Sequence, residues 1–150
     1  MPRKVWTFSP QSGGQKIPPK VQTEVRQKLL AYAEEKYGNV KGLIRIDTRF
    51  KGHFCYIDAY DEPPEPDEES LSYFGITRDE FIEQRRNTPS PLCRLRYFQL
   101  GGWTLAIYTY SNEKYEPAIF SSGKWEGIPE EALDMVMRMY YPESRRDFVM

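Results

Sequence analysis

Two segments of this chain, residues 43–60 and 92–111, alternate apolar and polar side chains over two strand lengths each and break at glycine. That period-two pattern fits strands with one packed face and one open face, and few other conformations accommodate it. In the first segment a two-residue turn at Lys51-Gly52 pairs Phe50 with His53 and, running back, Leu43 with Tyr60. Ile44, Ile46 and Thr48 then share the packed side with Cys55, Ile57 and Ala59. On the other side Arg45 opposes Asp58, Asp47 opposes Tyr56 and Arg49 opposes Phe54. In the second segment a three-residue loop centred on Gly102 gathers Leu95, Tyr97, Leu105 and Ile107 on the packed side. It sets Arg94 and Arg96 against Tyr110 and Tyr108 outside. A slip of one residue would send charge into the core, which decides between the registers.

Helices flank the hairpins. Residues 19–37 open with proline, carry Val21, Val25, Leu29, Tyr32 and Ala33 as one apolar stripe, and meet Gly38, read as a left-handed stop. A final helix starts at Pro129, with Ala132, Leu133, Val136, Met137 and Tyr140 on its buried side and Pro142 as its end. Residues 5–8 read as a short strand, 9–18 as a loop, and 115–120 as an edge strand on account of Pro117. Between the hairpins, residues 61–91 form an insertion at an edge. It begins with an acidic, proline-rich flap and then forms a helix from Thr77, where Glu80 completes a capping-box spacing. Residues 121–127 read as a turn and the tail to Met150 as poorly ordered. The expected fold is a single α+β domain over residues 1–150. Its mostly antiparallel sheet has about five strands, with the first and last helices packed on one face.

Composition narrows the class. The chain has 150 residues with 39% hydrophobic and 15% aromatic content, including 11 tyrosines. That is enough to build a core without disulfide or metal support. No apolar run approaches membrane-spanning length and no leader opens the chain, so a cytoplasmic protein without membrane contact is expected. Cys55 and Cys93 fall in strands and read as reduced, packed thiols; with one histidine they make no zinc cage, and no metal or cofactor is expected. Net charge is −1, yet residues 61–69 hold six acids and no base, so the remainder is basic. The stretches CRLRYF (residues 93–98) and TYSNEKYEP (residues 109–117) resemble those of small bacterial proteins of unassigned function. That resemblance implies no activity and supplies no site residue.

The open sheet face carries the functional reading. A solvated face is usually Lys, Glu, Thr and Ser. Here it holds Arg45, Arg49, Tyr56, Asp58, Tyr60, Arg94, Arg96, Tyr108 and Tyr110. An exposed cross-strand ion pair contributes only about 0.2–1 kcal/mol, so stability alone does not call for four arginines. Guanidinium forks suit phosphate or carboxylate, and phenol rings suit a base or a sugar ring. The working expectation is a binding module for an anionic ligand, single-stranded nucleic acid or a nucleotide. The acidic flap would then fold over Arg45, Arg49, Arg94 and Arg96 in competition. Two alternatives stand beside it. One is a protein-interaction module of inhibitor or immunity type, anchored by exposed Tyr, Arg or a tryptophan. The other is a metal-assisted hydrolase using Asp47 and Asp58, set diagonally on paired strands. Against the second, each Asp has an arginine neighbour that would hold its pKa too low for a general acid. Binding is therefore favoured over catalysis, and His53, beside the turn, reads as a packing residue.

Overall fold

The computed structural model describes residues 12–100 and 102–142. The strand expected at residues 5–8, Trp6, and the tail from residue 143 lie outside them. Helix α1 (Pro19–Tyr37) precedes strands β1 (Leu43–Lys51) and β2 (Phe54–Asp61). Helices α2 (Glu68–Phe74) and α3 (Arg78–Arg86) follow, then strands β3 (Ser90–Phe98), β4 (Gly102–Thr109), β5 (Lys114–Ala118) and β6 (Glu126–Gly127), and helix α4 (Pro129–Tyr140). The sheet is antiparallel, in the order β1-β2-β3-β4-β5, with β6 also paired to β4. The α+β architecture is the expected one.

Side chains segregate to the expected faces, but their partners differ. In the first hairpin Lys51 pairs with Phe54, so the turn residues are Gly52 and His53. Gly52 adopts φ +61°. The tight hairpin turns need positive φ at their first central position, which glycine supplies and Lys51 would resist. Moving the turn by one residue moves the partners from Arg45 to Lys51 by two, and a shift of two leaves each side chain on its face; a bulge between Leu43 and Arg45 sets Leu43 opposite Asp61. Arg45 therefore opposes Tyr60, Arg49 opposes Tyr56, and Asp47 lies directly opposite Asp58 rather than diagonal to it.

In the second hairpin Phe98 pairs with Gly102 and Tyr97 with Trp103, so Arg94 opposes Ala106 and Arg96 opposes Thr104, not Tyr110 and Tyr108. The expected loop would have placed Trp103 in the turn. The observed register buries it to 6% exposure with its ring centroid 5.0 Å from that of Tyr97. A tryptophan removes some 150–250 Å² from water, which outweighs a tidy turn.

Other boundaries shift for similar reasons. Gly38 is not left-handed; its φ is −60°. A Cβ there would come within 2.5 Å of the Glu34 carbonyl oxygen, so close approach requires the glycine. β5 ends at Ala118, and Phe120 is instead buried in the following loop. Residues 126–127, read as turn, pair with β4. Within the insertion, Asp67 accepts from the Ser70 N–H at 2.6 Å and starts a helix the sequence reading missed. Of the capping box expected at α3, the Thr77 half is present, its hydroxyl accepting from the Glu80 N–H at 3.2 Å.

The core lies between one sheet face and helices α1 and α4. Ile46, Ile57, Cys93, Leu95, Leu105 and Ile107 meet Leu29, Ala33, Ala132, Leu133, Val136 and Met137 there. Both thiols are free and buried, and burial pushes Cys55 up to about 12. One polar cluster joins the two helices. Asp134 accepts from Tyr32 at 2.6 Å, from Lys36 at 3.0 Å and from Tyr37. Burial alone would raise the Asp134 pKa, but these three donors outweigh it and hold the carboxyl below its usual range.

A carboxylate with a depressed pKa stabilises the fold above its unfolded value and loses that contribution as pH falls through its folded value. Asp134→Ala should therefore destabilise the protein by about 1–3 kcal/mol at neutral pH, because it removes the charged acceptor shared by Tyr32, Lys36 and Tyr37. The deficit should begin to shrink as pH falls below the unfolded carboxyl value near 4 and go on shrinking as pH falls through the lower folded value. Denaturant melts of both proteins across pH 2–7 check this; an equal deficit at every pH would contradict it.

Candidate functional site

The face opposite α1 and α4 is built by alternation along β1, β2, β3 and β4. It brings together Arg45 and Arg49, then Phe54, Tyr56, Asp58 and Tyr60, then Arg94 and Arg96, and then Tyr108. Tyr110 follows just past the end of β4. β5 adds Tyr115, opposite Tyr108, which the sequence reading did not place in the site. Its signal was the same alternation, hidden because only the pairing with β4 fixes the face to which Tyr115 belongs.

The rings form a continuous edge-on series. Phe54 and Tyr56 have centroids 6.0 Å apart, Tyr56 and Tyr115 5.6 Å, Tyr115 and Tyr108 5.1 Å, and Tyr108 and Tyr110 5.0 Å. The contact between Tyr56 and Tyr115 is the informative one. β2 and β5 are separated by two strands, about 14 Å on a flat sheet. The two rings therefore lean toward one another over β3 and β4, where buried Ala106 presents only a methyl group.

All four arginines stack on rings. The Arg45 guanidinium is 3.9 Å from the Tyr60 centroid and that of Arg49 is 4.1 Å from Tyr56. Arg94 is 4.4 Å from Phe54 and 5.2 Å from Tyr115, and Arg96 is 4.7 Å from Phe54. Each such contact is worth about 0.5–1 kcal/mol at an exposed site.

Their remaining partners divide them. Arg49 Nε donates to Asp58 Oδ2 at 2.8 Å. Burial opposes the Arg49 charge, but Asp58 outweighs it and the pKa rises. Arg96 is buried and donates to the Gly13 carbonyl at 2.8 Å; burial, then Arg94, lowers its pKa. The Gly13-Gly14 segment is thereby engaged by the sheet, and Gln15 continues it by donating its N–H to the Tyr97 carbonyl. Arg45 and Arg94, by contrast, form no ion pair with a carboxylate among the described residues. A stacked guanidinium keeps its N–H edges available for further hydrogen bonds.

The carboxylates are engaged elsewhere. Asp47 pairs with Arg26 of α1 at 2.8 Å, and Arg26 also donates to the Thr48 carbonyl at 2.8 Å, covering the β1 edge. Asp58 is 3% exposed, and its Oδ1 lacks a hydrogen-bond partner among the described residues. Among the described residues no group of three or more His, Cys, Asp or Glu is placed to hold a metal. The acidic flap does not reach the sheet arginines as expected. Glu65 pairs with Arg78 at 2.8 Å and Glu62 with Arg86 at 3.1 Å, both within the insertion, and Asp61 accepts from the Tyr141 hydroxyl. The insertion instead stands beside the Arg45 end of the face. A cleft of about 610 Å³ separates them, lined by Ile44, Arg45, Glu62, Arg78, Ile82 and Arg86 among others. Among the described residues no helix is long and apolar enough to cross a membrane.

No protein-family model matches this chain, and neither a curated protein nor a solved structure is similar to it.

Burial first, then Asp58, pushes Tyr115 up to about 12; burial, then Tyr140, does the same for Tyr110. A phenol whose pKa rises on folding stabilises the fold below its unfolded value near 10 and loses that contribution as pH climbs through the folded value. Stability should therefore fall between about pH 10 and 12, and Tyr115→Phe should flatten that fall. Denaturant melts at stepped alkaline pH measure it; an unchanged slope in the variant would rule out the assignment.

Proposed function

We propose that the protein is a binding module whose Arg/Tyr face takes single-stranded nucleic acid. The observation that carries this reading is the pair Arg45 and Arg94, stacked on rings yet without carboxylate partners among the described residues. Between them lie phenol rings that a base can pack against. Base–aromatic stacking contributes about 1–3 kcal/mol per base, and an anion-binding arginine fixes the backbone beside it.

Spacing favours an oligonucleotide over a lone nucleotide. Arg45 sits on Tyr60 and Arg94 on Phe54, at opposite ends of β2. Six residues of strand span on the order of 20 Å, beyond the reach of one nucleotide. Arg49 and Arg96, engaged by Asp58 and Gly13, position the rings, while Tyr56, Tyr60, Tyr108 and Tyr110 offer the stacking surface. Asp47 and Asp58 each have an arginine partner, so the carboxylates of this face are engaged within the protein.

A labelled single-stranded DNA oligonucleotide, titrated by fluorescence anisotropy, tests the reading. Wild-type affinity should fall steeply with salt. Arg45→Ala and Arg94→Ala should each weaken binding about tenfold and lower the salt slope by about one. Binding that ignores salt, or that both variants leave intact, would overturn the proposal.

A further inference from the structure

The Asp58 carboxylate is satisfied on one side only. The residue is 3% exposed. Its Oδ2 accepts from Arg49 Nε at 2.8 Å, while Oδ1 has no hydrogen-bond partner among the described residues. A buried carboxylate oxygen without a donor is costly, and native proteins keep one where something beyond their own side chains supplies the donor.

Its position says what that donor belongs to. Alternation along β2 sets Asp58 between Tyr56 and Tyr60 on the open face, two of the rings offered to a base. Burial, then the Asp58 charge, raises the Tyr115 pKa, so the carboxylate also stands near that phenol. Arg49, which bonds Asp58, lies over Tyr56 with its side chain 54% exposed. Ring contacts and a stacked guanidinium thus surround the carboxylate on the open side. Each such contact is no stronger than the stacking of one base, so a base settling at Tyr56 can displace it. A carboxylate accepts and does not donate, so Oδ1 selects a donor. The arginines of the face repel a free cation, which leaves an N–H group of an otherwise anionic ligand. Cytosine presents an amino group where thymine and uracil present a carbonyl oxygen, and a carboxylate repels that oxygen. Adenine and guanine carry amino groups as well.

We propose that Asp58 makes the Arg/Tyr face selective among bases: its Oδ1 accepts from the exocyclic amino group of a cytosine, adenine or guanine stacked at Tyr56, and the face discriminates against thymine and uracil. The inference rests on the reading of the face as a single-strand binder and adds a base preference to it. Stacking alone is nearly indifferent to the base, because every base has a π-face. The carboxylate supplies the discrimination that the rings lack.

The probes are two labelled single-stranded DNA oligonucleotides of equal length, one of deoxycytidine and one of deoxyuridine, titrated by anisotropy against the full chain at neutral pH and fixed salt. The two bases differ by an amino group against a carbonyl oxygen. The cytosine strand should bind about tenfold tighter. A cytosine strand dimethylated at the amino nitrogen keeps the ring but has no N–H to donate, and it should bind no better than the uracil strand. That arm uses the wild-type protein and does not depend on a variant folding. Asp58→Asn offers an N–H to the uracil oxygen and should lose the preference, its melting temperature being measured alongside. Equal, salt-dependent affinity for the cytosine and uracil strands would overturn the preference, assign Oδ1 to a buried water and leave the single-strand reading standing. Binding of neither strand would overturn both. A preference for cytosine that survives dimethylation, or that a folded Asp58→Asn retains, would also overturn the assignment to Asp58.

Discussion

The two-residue period of the β-strand governs this molecule. Every side chain of the sheet goes to one face or the other, and α1 and α4 seal only one of them. Because both helices spend their apolar stripes on the same face, the opposite one is left to satisfy itself. It does so with rings packed edge to face and guanidinium groups laid over them. The arginines that finish with a further protein partner, Arg49 and Arg96, become part of that framework. Arg45 and Arg94 stack on rings in the same way but form no carboxylate ion pair among the described residues.

Polar interactions in this fold sit where chain elements are joined. The Asp134 cluster holds α1 to α4, Arg26 ties α1 to the exposed edge of β1, and the Tyr140 and Tyr141 hydroxyls tie the end of α4 to the Tyr108 carbonyl and to Asp61. Buried polar groups are costly unless paired, so each cluster demands one relative placement of its elements. Apolar packing supplies the adhesion between helix and sheet, and these clusters fix how the helices sit.

Charge is distributed with a similar economy. Acids crowd into the insertion, where three pair with its own arginines and others face solvent. The rest of the chain is basic and displays its arginines on the sheet.

Alternation along residues 43–60 and 92–111 was enough to assign Arg45, Arg49, Tyr56, Asp58, Tyr60, Arg94, Arg96 and Tyr108 to one face and Ile46, Ile57, Leu95 and Ile107 to the other. Parity is a local property and survives a register error of two or four residues, and both hairpins contained such an error. Helical stripes placed α1 and α4 for the same reason. What lay beyond the sequence was every distance that depends on non-local packing. The demand to bury Trp103 set the second register, and the pairing of β5 with β4 brought Tyr115 against Tyr56. The reach of Arg26 around an edge strand decided that Asp47 was already taken. The insertion's acids found Arg78 and Arg86 rather than the sheet because α3 brings those two arginines beside them. Local period fixes which way a side chain points; only the folded chain decides what it meets there.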